Sequence, residues 1–194
     1  MTSSLGPDVA LIVIDVQKGF DDPKWGKRNN PQAEANMARL LEAWRRSGRP
    51  VIHVQHSSKE PDSPLRSDSP GNAIKEIVKP TQGEPIIQKS VNSAFIGTDL
   101  ESRLRKQRIT ELVIIGLTTD HCVSTTARMA GNLGFTTFVV SDATATFDRS
   151  GPNGKQHKAA DVHEVSLASL HQEFATVVDT QGLISGLEAS KPRQ

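Results

Sequence analysis

Residues 111–134, ELVIIGLTTDHCVSTTARMAGNLG, run through a strand, a polar turn and a helix, and hold the only cysteine of the chain, Cys122. ELVIIGL is too short for a helix and rich in Val and Ile, as expected of a strand buried on both faces. The helix after it is expected from near Asp120 to Leu133, with Gly134 as its stop. Cys122 would then lie in a first helical turn, where unpaired amides and the positive dipole end favour a thiolate. A lone cysteine is also commonly a small buried residue without chemistry, so its surroundings have to decide.

Further short aliphatic runs recur: VALIVIDV (9–16), PVIHVQH (50–56), TTFVVSDA (136–143), a weaker ATVVDT (175–180) and a short EPIIQK (84–89). Helical stretches alternate with them. Met37, Leu40, Leu41 and Trp44 make one apolar stripe, with Asn30 and Pro31 expected as N-cap and first residue and Gly48 as the stop. TDLESRLRKQR opens like a capping box with Thr98 at the N-cap and Glu101 at N3, and residues 154–175 can carry another helix. Alternating strands and helices imply parallel strands joined by right-handed crossovers, hence an α/β protein with a three-layer α/β/α sandwich. Residues 57–88, rich in Pro, Ser and Asp, read as a long functional loop or lid ending in the extra strand. One domain is expected over 1–194, with its core at roughly 8–180.

Lys plus Arg number 23 against 22 for Asp plus Glu, so no strong field points to nucleic acid or an anionic membrane. A single cysteine makes no internal disulfide, and ALIVID is too short for a signal core or a membrane span. The expectation is a soluble, cytoplasmic protein.

In an open parallel sheet, ligands bind beyond the carboxyl ends of the strands. That rule selects Asp15, His56, Lys89, the TTDHC turn and Asp142. Asp15 closes a buried LIVID run, where an unpaired carboxylate is costly. A lysine could partner it, lowering the thiol pKa as well, and the thiol could be its proton donor. Asp15, Lys89 and Cys122, far apart in sequence, are therefore expected to meet at one edge. His121, about 100° round a helix from Cys122, should face away from the thiol, leaving Asp120 and His121 to brace the loop.

His53 and His56 point to opposite faces of one strand, and His157, His163 and His171 match no common zinc spacing. No metal site and no cofactor is assigned. No G-x-G-x-x-G follows the first strand, and neither G-x-S-x-G nor G-x-x-x-x-G-K-[ST] occurs.

LIVIDVQKGF, the lysine between EPIIQ and SVNSAF, and VIIGLTTDHCVSTTARMAGNLGF together resemble the isochorismatase-like cysteine hydrolase superfamily, and the likeness continues through VVSDATATF. The resemblance implies a mostly parallel sheet of about six strands with helices on both faces. It implies a catalytic set of Asp15, Lys89 and Cys122, forming a thioester that water hydrolyses. It also implies a cis peptide at Leu117–Thr118, with the amides of Thr118 and Cys122 as the oxyanion site. Phe20, Trp25, His56, Phe95 and Thr119 would surround a small amide substrate, and the chain would be a dimer or tetramer. Isochorismatases proper lack the cysteine, which favours amide hydrolysis here. Nicotinamidases share TDHCV but carry a metal-binding Asp-x-His where this chain has His56-Ser57-Ser58, which favours a metal-independent amidohydrolase. A metal-dependent nicotinamidase, or a member that only binds a small molecule, remain the alternatives.

Overall fold

β1 (Val9–Ile14) is buried along its whole length and lies between β2 (Val51–His56) and β4 (Glu111–Leu117), parallel to both. β3 (Ile86–Lys89) continues the sheet beyond β2, and β5 (Thr136–Ala145) and β8 (Thr176–Val178) continue it beyond β4. The order is β3-β2-β1-β4-β5-β8, all parallel, in a computed structural model that describes residues 5, 6 and 8–189. The chain winds outward from β1 through β2 to β3, then returns to start the other half at β4. The topological switch therefore falls between β1 and β4, the place where such sheets bind ligands.

Alternate residues of these buried strands feed two apolar layers. Leu11 and Val13 face α1 (Ala33–Arg46) and α5 (Thr180–Ala189), where Met37, Leu40, Leu41, Trp44, Leu183 and Leu187 are buried. Ala10, Ile12 and Ile14 face α2 (Leu100–Lys106), α3 (Ser124–Asn132) and α4 (Ala159–Leu170), which contribute Leu100, Leu104, Ala127, Ala130, Leu167 and Leu170. This is the three-layer α/β/α arrangement expected. Among the described residues, no helix is long and apolar enough to cross a membrane.

Three local expectations change. α1 begins at Ala33, not Pro31: Asn30 adopts φ 44° and donates from Nδ2 to the carbonyls of Ser141 and Thr144, tying the loop to β5 instead of capping the helix. At α2 the N-cap position is Asp99, one residue later than expected, yet it is the Thr98 Oγ1 that accepts from Leu100 N at 3.3 Å while its hydroxyl donates to Ala94 O. α5 follows the last strand, with Asp179 Oδ1 accepting from Gly182 N as its cap and Asp142 accepting from Thr180; the strand-end carboxylate of Asp142 is thus structural. Fraying, expected from the sequence for EASKPRQ (188–194), falls largely on 190–194, outside the described residues. A short hairpin, β6 (Arg149–Ser150) with β7 (Gln156–His157), had no sequence signal.

The segment 57–88 is fastened down at its middle, unlike a free lid. Gln17 pairs with Ile74, Lys18 N donates to Ala73 O, and Lys75 N donates to Val16 O. Lys75 Nζ reaches Asp21 and Glu34 at 2.6 and 2.8 Å. Gly19 and Gly71 abut so closely that a Cβ on Gly71 would lie 2.9 Å from Gly19 Cα and 2.4 Å from Pro64 O.

Candidate active site

Asp15 follows directly on β1 with φ 50°, a left-handed turn that brings its side chain over the end of the sheet, while its N–H still bonds Val54 O at 2.9 Å. On the next strand Gly116 has φ 124°, and a Cβ there would lie 2.0 Å from Ile14 O. Only glycine lets β4 come this close to the end of β1. The Leu117–Thr118 peptide is cis, as the resemblance implied. Thr119–Val123 then forms a single π-helical turn, in which the N–H groups of His121 and Val123 both donate to Thr118 O. Cys122 therefore sits in a wide turn ahead of α3, not in a regular first α-turn. π-turns of this kind recur at functional sites.

The parallel register places Lys89, the last residue of β3, beside His56, the last residue of β2. From there the ammonium reaches across. Lys89 Nζ lies 2.6 Å from Asp15 Oδ2, 3.0 Å from His56 Nδ1 and 3.3 Å from Cys122 Sγ. An ammonium has three hydrogens, and each has an acceptor here. Asp15 Oδ1 is buried without a hydrogen-bond partner, and Cys122 Sγ is also 3.7 Å from Asn92 Oδ1.

Burial sets the proton positions. It pushes the Asp15 carboxyl up from the ordinary aspartate value, against the opposing pull of Lys89 and the thiol. It pushes the Cys122 thiol up to about 12, with the neighbouring Asp15 charge adding to the rise and Lys89 opposing it. Lys89 thus acts on the thiol in the expected direction, and burial works against it.

Among the described residues, Asp15, His56 and Cys122 form the one group whose metal-type donor atoms all lie within 4.8 Å of one another. The Lys89 ammonium stands within 3.3 Å of all three, where a cation on these donors would sit. As long as Lys89 holds this position, the donor set is built round an ammonium and does not fit a metal ion.

The other expected residues are placed as follows. Phe20 and Trp25 stack with Phe147, at centroid distances of 6.2 and 5.9 Å. Phe95 packs on Phe135. Thr119 is buried, and its hydroxyl pairs with His163 Nδ1 at 2.8 Å, so it is spent on holding the turn. Thr118 is buried, with its Oγ1 3.5 Å from Arg149 Nη2. Asp120 braces the turn through Thr146 and Arg149, and despite burial those hydrogen bonds hold its carboxyl down to about 2. His121 turns outward, its side chain 54% exposed.

Sequence reasoning passed over three residues that shape this site. Gln17 and Asn72 are buried and bond the backbone of His56. Gln17 could have been found, as a polar residue directly after a buried apolar run; Asn72, inside a polar loop, had no such signal. Asn92 lies in the SVNSAF stretch directly after β3, where a polar residue among serines gives no distinguishing signal.

Residues 9–182 match the isochorismatase domain. An isochorismatase family protein of Bacillus subtilis, YrdC, is 56% identical over 176 residues, covering 91% of this chain and 94% of that protein. Nicotinamidase 3 of Arabidopsis thaliana is 31% identical over 187 residues, covering 90% and 86%. Among solved structures, an isochorismatase-family protein from Chromobacterium violaceum superposes with a TM-score of 0.93 at 44% identity, covering 97% of this chain and all of that one. The N-carbamoylsarcosine amidase of Thermoplasma acidophilum gives 0.71 at 26% identity, covering 89% and 96%. An α/β sheet with its polar site at the switch point and this degree of likeness defines the class: a hydrolase. The chain belongs to the isochorismatase family.

Proposed function

We propose that the protein is a cysteine amidohydrolase that cleaves a C–N bond of a small amide through a thioester on Cys122. The observation that carries this reading is the contact of one buried ammonium, Lys89, with both Asp15 at 2.6 Å and Cys122 Sγ at 3.3 Å. Relatives whose names are those of amide-cleaving enzymes, nicotinamidase and N-carbamoylsarcosine amidase, support the same bond class.

The sulfur attacks the substrate carbonyl as its proton passes to Asp15, whose Oδ1 has no other partner. Lys89 fixes Asp15 and the sulfur in register, and its positive charge favours the sulfur as negative charge builds there. The amides of Thr118 and Cys122 receive the oxyanion. Collapse breaks the C–N bond, and Asp15 returns the proton to the departing nitrogen, leaving the acyl group on sulfur. Water, giving a proton to Asp15, then attacks the thioester, and that proton returns to sulfur as the acid leaves.

The test is ammonia release from a panel of small amides, comparing wild type with Cys122→Ala, and intact mass spectrometry for an acyl adduct on Cys122. Release that vanishes in the variant, with an adduct in wild type, is expected. Equal release by both proteins overturns the reading.

A further inference from the structure

We infer that His56 is a positioning residue of this site: its Nδ1 is the third acceptor of the Lys89 ammonium and keeps that ammonium between Asp15 and Cys122, with Gln17 and Asn72 holding His56 in place. The inference rests on the cysteine-hydrolase reading for its kinetic consequence, and on geometry for the rest.

An ammonium offers only donors, so the contact with Lys89 Nζ at 3.0 Å requires a lone pair on His56 Nδ1 and puts the ring proton on Nε2. The Val91 backbone also acts on the ring, opposing the fall in its pKa. Burial, reinforced by the Lys89 charge, pushes the imidazole down to about 4, which keeps the acceptor available at neutral pH.

The backbone of His56 is held equally firmly. Gln17 Nε2 donates to His56 O at 2.9 Å, and Gln17 Oε1 accepts from His56 N at 2.9 Å. Asn72 Nδ2 donates to the same carbonyl at 2.8 Å, and Gln17 Nε2 donates to Asn72 O at 2.8 Å. Two buried amide side chains thus close on one residue. Networks of this kind fix one geometry when every member is satisfied. Without the third acceptor, the ammonium is free to swing toward the unpartnered Asp15 Oδ1 and away from the sulfur.

The experiment compares wild type, His56→Ala and His56→Asn, since an asparagine side chain sets an oxygen acceptor near the position of Nδ1. Three readouts are taken: turnover of an amide that wild type hydrolyses, iodoacetamide labelling of Cys122 at neutral pH, and nitrogen-15 NMR of the histidines of wild type. His56→Ala is expected to lose about 10- to 100-fold in kcat with KM little changed, the size of a hydrogen bond to a charged group, and to slow labelling in step. His56→Asn should recover most of both. The NMR should show Nδ1 of His56 unprotonated and Nε2 protonated. An unchanged kcat and labelling rate in His56→Ala, a change in KM alone, failure of asparagine to rescue, or a protonated Nδ1 would each overturn the inference. Labelling and NMR need no substrate. If Cys122→Ala still hydrolyses amides, the cysteine reading fails while these two readouts still judge His56.

Discussion

Lys89 Nζ and Asp15 Oδ2 meet at 2.6 Å with both side chains fully withdrawn from water. A pair of this kind is weak evidence for net stability, yet breaking it is costly, because one charge is left buried alone. Lys89→Met should lower the unfolding free energy by about 3–5 kcal/mol in urea titrations. Adding Asp15→Asn should recover a good part of that. A single variant as stable as wild type would mean that Asp15 carries its proton in the resting protein.

The thiol supplies a second prediction. Because burial and Asp15 hold it up at about 12, iodoacetamide should label Cys122 more slowly than free cysteine at neutral pH. The rate should keep climbing past the pH where ordinary thiols level off. Labelling faster than free cysteine at neutral pH would show that Lys89 outweighs burial.

Glu34 gives a prediction for acid. Burial raises its pKa, but hydrogen bonds from Arg28 and Lys75 prevail and hold it down to about 2. A depressed carboxyl stabilises the fold above its unfolded pKa, near 4.3, and that contribution disappears as pH falls toward 2. Glu34→Gln should therefore cost about 3 kcal/mol at neutral pH. The gap between the two proteins in thermal unfolding should close between pH 5 and pH 2, roughly the span of the two pKa values. A gap independent of pH would remove the ion pairs as its cause.

Two glycines with positive φ make a matched contrast. Gly116→Ala would push a Cβ to 2.0 Å from Ile14 O, whereas Gly134, at φ 82°, has nothing within 4 Å. Gly134→Ala should cost about 1 kcal/mol, the strain of a left-handed alanine. Gly116→Ala should exceed about 4 kcal/mol or yield no folded protein, because backbone has to move. Circular dichroism melts of the two variants decide it.

Much of this was legible in the sequence for a definite physical reason. Buried parallel strands must be short apolar runs, and their ends are where polar residues have a purpose, so Asp15, Lys89 and Cys122 could be selected without coordinates. Each of the three does lie at the predicted edge, and they touch through the lysine. What stayed hidden was set by tertiary geometry. Asn30 looked like a helix cap, but two carbonyls of β5 claim its side chain. The thiol's pKa depends on how completely the turn buries it, which no local pattern reports. Thr119 and Asn72 are polar residues whose partners, His163 and the backbone of His56, arrive from distant segments.

The contact of Gly19 with Gly71 bears on how this protein can be re-engineered. Neither position has room for a methyl group: on Gly19 a Cβ would meet Leu65 at 2.8 Å and Pro64 O at 2.9 Å. A loop library that randomised either one would mostly lose the seam between the loop and the turn after β1, and with it the seat of Asn72. Libraries confined to exposed tips such as Glu60 to Asp62, or to Asp68, would spare that seam. Diversity in this loop is thus open at the exposed tips and closed along the glycine contact.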